Sequence, residues 1–251
     1  HGFQKNIHQI PEAFDKYRPR YCRELFEELI SVTGLNPESH VLEIGPGTGQ
    51  ATEPILKTGC KYTAIELGEN FTAYMRQKFQ SYSNFAIINA DFETYDFGAQ
   101  KFDLVYSAAT IQWIPEEIAF SKVYDLLKPG GMLAMFMTRS DEKSANEALY
   151  NEIDEVYKRY FVVKQKYNQR INYDNVVNYG FINFSCQEWK KVRKLNADEY
   201  ISYISTHCEH ITLEEPYKSK FYEGIRNVIQ NAGNEIVIYD TIPLYLAQKP
   251  M

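Results

Sequence analysis

The sequence predicts a doubly wound α/β fold: a mostly parallel sheet of about seven strands with one antiparallel edge strand, and a mainly helical cap. Three observations predict it. Short apolar runs alternate with helical stripes five times in the first half of the chain. Those runs are continuous rather than alternating, as in parallel strands covered on both faces. The final segment instead repeats its apolar residues with period 2 (Ile236, Ile238, Ile242, Leu244, Leu246), the signature of an antiparallel strand.

Cys22, Leu25, Phe26, Leu29 and Ile30 recur at helical spacing, and Gly34 ends that helix. Val41 to Ile44 is the first strand; glycines follow, then a helix carrying Ala51, Ile55 and Leu56, with Gly59 as its C-terminal stop. Tyr62 to Ile65 is the second strand, and Phe71, Tyr74, Met75 and Phe79 form the next stripe. Phe85 to Ile88 and Phe102 to Tyr106 are the third and fourth strands, and Ile118, Ala119, Val123, Leu126 and Leu127 form another stripe. Lys128-Pro129-Gly130-Gly131 breaks it, and Met132 to Met137 is the fifth strand. Right-handed crossovers wind such units into one sheet, with the ligand beyond the carboxyl ends of the strands.

The remainder has a different texture. Ala145, Leu149, Ile153, Val156 and Tyr160 mark a helix, 161–180 is rich in Tyr and Asn without a period, and 181–192 holds a strand. Asn196 and Glu199 form a capping box for a helix through Tyr203; Phe221, Ile225, Val228 and Ile229 mark a last helix, stopped near Gly233. The organisation expected is a single domain over 1–251, with a core of about 20–138 and 213–251 and a cap of about 139–212.

Composition narrows the function. The 251 residues carry 27 Lys and Arg against 33 Asp and Glu, a net charge of −6 that speaks against nonspecific nucleic-acid or anionic-membrane binding. No run approaches the ~18 apolar residues of a membrane span. Cys22, Cys60, Cys186 and Cys208 lack CxxC spacing, so no metal site and no redox pair is expected; reduced thiols point to a cytoplasmic protein.

The chemistry centres on Glu43-Ile44-Gly45-Pro46-Gly47-Thr48-Gly49, which follows a strand and opens a helix. Glycines there let a ligand approach the backbone, and the helix start offers unpaired N–H groups. Glu66 ends the next strand 21 residues after Gly45, where a carboxylate accepts ribose hydroxyls. Asp91 and Phe92 follow the third strand, suiting an adenine amine and the ring face. The loop reads GxGxG rather than GxGxxG and contains no Lys, which excludes a phosphate-binding P-loop.

Together the runs VLEIGPGTGQAT, AIEL, NADFE, FDLVYSAATIQWI and LLKPGGMLAMF, over 41–136, resemble class I S-adenosylmethionine-dependent methyltransferases. Within that class the chain is similar to the Rossmann-like small-molecule branch that includes trans-aconitate methyltransferase. The resemblance implies S-adenosyl-L-methionine as cofactor and residue roles as follows. Gly45, Gly47 and Gly49 shape the loop against the methionine part, and Glu43 orients that loop. Glu66 holds the ribose, and Leu67 packs on adenine. Asp91 meets the adenine amine, and Phe92 lies at the ring. Backbone near Ser107 accepts from the ammonium. Gln112 and Trp113 sit where cofactor meets acceptor, and Tyr17 and Arg18 close over the cofactor. Arg18 reads equally well as an exposed cation at a helix.

A carboxylate acceptor needs no general base, whereas a hydroxyl or amine does; the catalytic candidates are His207 and His210, with Glu209 beside them, and Trp113. The stretch after the fourth strand lacks the [DNS]PP[YFW] run of DNA amine methyltransferases and the acidic metal ligands of catechol-type enzymes, and no Pro-Cys nucleophile occurs. The expected acceptor is therefore a small molecule, without nucleic acid, membrane or metal, and the protein a monomer or homodimer. The alternatives are an NAD(P)-dependent dehydrogenase and a non-catalytic S-adenosylmethionine-binding protein. Glu66→Ala is expected to weaken cofactor binding with little change in stability.

Overall fold

A computed structural model describes residues 11–163 and 171–251, and these divide into two compact units. The larger comprises the described residues of 20–137, 168–189 and 242–251; the smaller comprises those of 1–19, 138–167 and 190–241. The boundaries at 189/190 and 241/242 fall inside strands β7 (Ile182–Leu195) and β8 (Ile236–Gln248).

In the larger unit, α2 (Arg23–Thr33) precedes the alternating elements β1 (His40–Ile44), α3 (Thr52–Leu56), β2 (Lys61–Glu66), α4 (Glu69–Lys78), β3 (Phe85–Asn89), β4 (Phe102–Ala108), α5 (Glu116–Leu126) and β5 (Leu127–Phe136). The strand order is β3-β2-β1-β4-β5-β8, parallel from β3 to β5, with β8 antiparallel to β5. Order reverses between β1 and β4: the chain moves outward through β2 and β3, then returns to the other side of β1. The carboxyl ends of β1 and β4 are thus the switch point of a doubly wound sheet, the place where such folds bind ligands.

The pleat sends alternate side chains to opposite faces, and both faces are covered. Leu42, Ile44, Ile65, Val105 and Leu133 pack with Ala119, Phe120 and Val123 of α5. Val41, Ala64, Leu104 and Ala134 pack with Leu25, Phe26 and Leu29 of α2 and with Ile55 of α3. Fully burying such a side chain stabilises the fold by ~1.5–3 kcal/mol. Gly34, at φ 62, ends α2 and donates its N–H to Ile30 O.

The smaller unit contains α1 (Pro11–Tyr17), β6 (Arg139–Asp141), α6 (Glu147–Tyr160), α7 (Ala197–Ile204), α8 (Cys208–Ile211) and α9 (Tyr217–Asn231). Its core joins Leu149, Ile153 and Val156 of α6 to Tyr200 and Ile204 of α7 and to Phe221, Ile225 and Ile229 of α9. The capping box of Asn196 and Glu199 is present at the start of α7. Arg193 meets Asp240 through its Nε and through Nη2 at 2.9 Å, while Ser140 Oγ donates to the same carboxylate at 2.7 Å.

Four features differ from the sequence reading. The last helix, α9, expected with the core, packs its apolar stripe on α6 and α7 in the smaller unit. The helix after the glycine loop has only five residues, because 47–51 form turns first. Leu127 already pairs with Phe102, and the Lys128–Gly131 break is an irregularity inside β5. The strand sought at 181–192 is the 14-residue β7, which pairs with β8 and brings the sheet to eight strands; it is largely exposed, which explains its weak pattern. Among the described residues no helix is long and apolar enough to cross a membrane.

Candidate cofactor and active site

The site is built outward from the end of β1. Side-chain alternation puts Glu43 on the same face as Val41, and the carboxyl is fully buried. Its Oε2 accepts from Thr52 Oγ1 at 2.6 Å and from the hydroxyl of Tyr62, which is itself paired with the Tyr106 hydroxyl. Oε1 has no hydrogen-bond partner among the described residues. Burial pushes the Glu43 carboxyl up to about 7, against the pull of the three hydroxyls. Because Thr52 is the first residue of α3, Glu43 ties the strand to the helix on either side of the glycine loop.

A raised carboxyl makes stability pH-dependent in a defined direction. The folded state keeps the proton up to about pH 7, whereas the unfolded chain releases it near pH ~4.5. Stability therefore falls as pH rises between these values. Glu43→Gln removes that charge, so its advantage over the wild type should grow from pH 5 to pH 8 by roughly 3 kcal/mol at most. Thermal midpoints at pH 5, 6, 7 and 8 check this; parallel curves for the two proteins would count against it.

The loop is held from below and from the side. Gly45, at φ 65, donates to Ile65 O at 2.9 Å, and its own carbonyl accepts from Thr110 Oγ1 at 2.9 Å. Gly49, at φ 83, lies against Phe79 and Met75, where a Cβ would come within 2.7 Å of the Phe79 ring. Gly47 donates its N–H to Glu66 Oε2 at 3.1 Å.

Glu66 is 8% exposed, and its other oxygen accepts from Gly68 N at 2.8 Å. Two backbone amides thus aim the carboxylate, and each oxygen keeps a further lone pair for a ligand hydroxyl. Burial pushes this carboxyl up to about 7 as well; the Gly68 and Gly47 amides pull it down, and the Glu43 charge adds to the rise. Asn89 Nδ2 donates to the carbonyls of Glu66 and Leu67 at 2.9 and 3.2 Å, and Leu67 is half-buried.

At the end of β3, Asp91 Oδ1 accepts from Glu93 N at 2.9 Å. Phe92 is packed in the core against Phe97, with Lys122 Nζ 5.2 Å from its ring centroid. Near the end of β4, Ser107 Oγ donates to Ile44 O at 3.1 Å and accepts from Ile111 N at 3.0 Å, joining the ends of β1 and β4. Gln112 lies in the 3-10 turn Ile111–Trp113, 7% exposed, and its Oε1 has no partner among the described residues. Trp113 follows it, half-buried.

The larger unit thus gathers Glu43, Gly45, Gly47, Gly49, Glu66, Leu67, Asp91, Phe92, Ser107, Gln112 and Trp113 at or just beyond the carboxyl ends of its first four strands. Tyr17, Arg18, His207 and His210 belong to the smaller unit. There Arg18 Nη2 donates to Thr206 O at 2.9 Å, and the His210 ring bonds the Tyr157 hydroxyl. Sequence reading missed Thr110, Asn89, Tyr62 and Tyr106. The buried pair of tyrosines carried a signal, since Tyr62 and Tyr106 sit on strands flanking β1. Among the described residues no group of three or more His, Cys, Asp or Glu is placed to hold a metal ion.

Comparison with known proteins agrees with this geometry. The profile of a methyltransferase domain matches residues 42–135. A malonyl-[acyl-carrier protein] O-methyltransferase of Marinomonas sp. (strain MWYL1) is 30% identical over 140 residues, 54% of this chain and 51% of that protein, so the chain spans about half the length of this relative. Among solved structures, the YcgJ protein from Bacillus subtilis aligns with TM-score 0.60 at 11% identity, covering 92% of this chain and 100% of that one. Phosphoethanolamine N-methyltransferase 2 of Haemonchus contortus, in complex with S-adenosyl-L-methionine, aligns with TM-score 0.56 at 17% identity, covering 98% of this chain and 57% of that one. The glycine loop, the strand-end carboxylate and the reversal of strand order all fall in or beside the matched stretch: residues 42–135 match the profile of a methyltransferase domain, and the chain shares its fold with these solved structures.

Proposed function

We infer that the protein transfers a methyl group from S-adenosyl-L-methionine to a small-molecule acceptor. The observation that carries this reading is the Glu66 carboxylate, clamped by the Gly47 and Gly68 amides at the end of β2 with lone pairs left for two ribose hydroxyls. The orphan Oε1 of Gln112, just after β4, adds a buried acceptor for a donor such as the methionine ammonium. The residues present therefore fit an adenosine cofactor with an amino-acid tail. The solved Haemonchus enzyme of the same fold holds S-adenosyl-L-methionine, and the Marinomonas relative is an O-methyltransferase by name.

When bound, the cofactor supplies a methyl group on a positively charged sulfur, and displacement leaves a neutral thioether. The protein's contribution is alignment, and positioning of this kind is worth ~7–11 kcal/mol. Glu66 fixes the ribose end, the loop of Gly45, Gly47 and Gly49 bounds the chain, and Gln112 and Trp113 face the acceptor side. The remaining candidates Tyr17, Arg18, His207 and His210 lie in the smaller unit. A cytoplasmic monomer or homodimer without nucleic acid as substrate completes the proposal.

Calorimetry should give micromolar binding of S-adenosylhomocysteine and no comparable binding of NAD. NAD bound with S-adenosylhomocysteine ignored would overturn the reading in favour of a dehydrogenase. Binding without S-adenosylhomocysteine release from any member of a mixed metabolite pool would favour the non-catalytic alternative.

A further inference from the structure

We propose that the smaller unit carries a recognition site for a small carboxylate with an apolar body, built around the imidazole of His210. His210 is 6% exposed, on the short helix α8. Its Nε2 lies 2.9 Å from the Tyr157 hydroxyl, while its Nδ1 has no partner among the described residues. A phenol O–H is the stronger acid of the two groups, so Tyr157 donates and Nε2 accepts. The single ring proton of a neutral imidazole then sits on Nδ1. This leaves a buried N–H donor without an acceptor among the described residues, an arrangement that folding tolerates at a cost unless a ligand or water supplies one.

The surroundings select the kind of acceptor. Tyr157, Phe161 and Phe221 ring His210, with centroids 5.7, 4.5 and 5.6 Å from it, and His207 stands 5.4 Å away against Tyr203. Those rings suit an aliphatic or aromatic body. The guanidinium of Arg18 acts on both imidazoles, and burial together with that charge pushes His210 down to about 3 and His207 well below its ordinary value. Burial disfavours any charge there, while the guanidinium of Arg18 offsets that cost for an anion and adds to it for a cation. Glu142, an acid whose charge acts on Tyr157, is itself pushed up by burial toward its neutral form. A carboxylate oxygen accepting from Nδ1–H satisfies the orphan donor and lies in the field of Arg18.

The carboxylate site stands on the geometry of the smaller unit alone. The test uses the full chain labelled with ¹⁵N in its histidines. Butyrate, benzoate and phenylacetate are titrated in, with their primary amides as controls, and S-adenosylhomocysteine affinity is measured on the same sample. The carboxylates, and not the amides, should shift the His210 Nδ1–H resonance saturably. His210→Phe keeps a ring in place and should weaken carboxylate binding about ten- to a hundredfold, leaving S-adenosylhomocysteine affinity unchanged. No carboxylate shift in the wild type, equal shifts from the amides, or unchanged affinity in His210→Phe would each overturn the proposal. The wild-type titration decides even if His210→Phe does not fold. Lost S-adenosylhomocysteine binding in the wild type would instead overturn the methyltransferase reading and leave the carboxylate site standing.

Discussion

Gly45→Ala should cost the protein about 3 kcal/mol or more and abolish cofactor binding in whatever fraction still folds. Gly45 sits at φ 65, a left-handed conformation that costs a residue with a Cβ ~1–2 kcal/mol. The added methyl would also lie 2.3 Å from Thr110 Cγ2, 2.5 Å from Oγ1 and 2.6 Å from Cβ. Thr110 cannot simply rotate away, because its hydroxyl holds the Gly45 carbonyl and its own carbonyl accepts from Trp113 N. Relief must therefore move either the loop or the turn after β4, and both border the proposed cofactor site. Overpacking of this kind adds ~1–3 kcal/mol. Placing Thr110→Gly on the same background should recover the steric part and leave the backbone part. Urea denaturation of the three proteins separates the two contributions, and a single variant as stable as wild type would refute the packing argument.

Glu66→Ala should weaken S-adenosylmethionine and S-adenosylhomocysteine alike, by roughly ten- to a hundredfold, since charge-assisted bonds are worth ~1.5–3 kcal/mol. The ribose is remote from the transferred methyl, so the rate at saturating cofactor should barely change, as for uniform binding. Structure adds two consequences. Gly47 and Gly68 lose the acceptors of their amides, so the free protein should lose about 1–3 kcal/mol, where sequence reasoning expects little change. The second is a proton. Burial raises free Glu66 to about 7, and hydroxyls donating to the carboxylate favour its charged form. Binding at pH 6 should therefore release a proton, and affinity should rise from pH 6 to pH 8 until the free carboxyl is ionised, then level off. Calorimetry in two buffers of different ionisation enthalpy reads the proton directly, and Glu66→Ala should lose that component. A buffer-independent enthalpy at pH 6 in the wild type would show that Glu66 is already charged.

Much of the larger unit is legible in the sequence because its signals are local. Apolar runs of parallel strands, Gly34 after a helical stripe, and a glycine loop followed 21 residues later by Glu66 each lie within a short window of chain, and the strand order built from them places the site. The period-2 pattern of β8 announced its antiparallel pairing for the same reason. What the sequence leaves open is set by pairs far apart along the chain. Thr110 closes over Gly45 across 65 residues, Tyr62 and Tyr106 meet over Glu43 from strands 44 residues apart, and Tyr157 reaches His210 across 53. The stripe of α9 specifies only that one face is buried, and α6 and α7 rather than the larger sheet bury it. Periodicity determines which face of an element seeks a partner; only the folded chain decides which partner it finds, because many apolar faces satisfy the same pattern and packing selects among them.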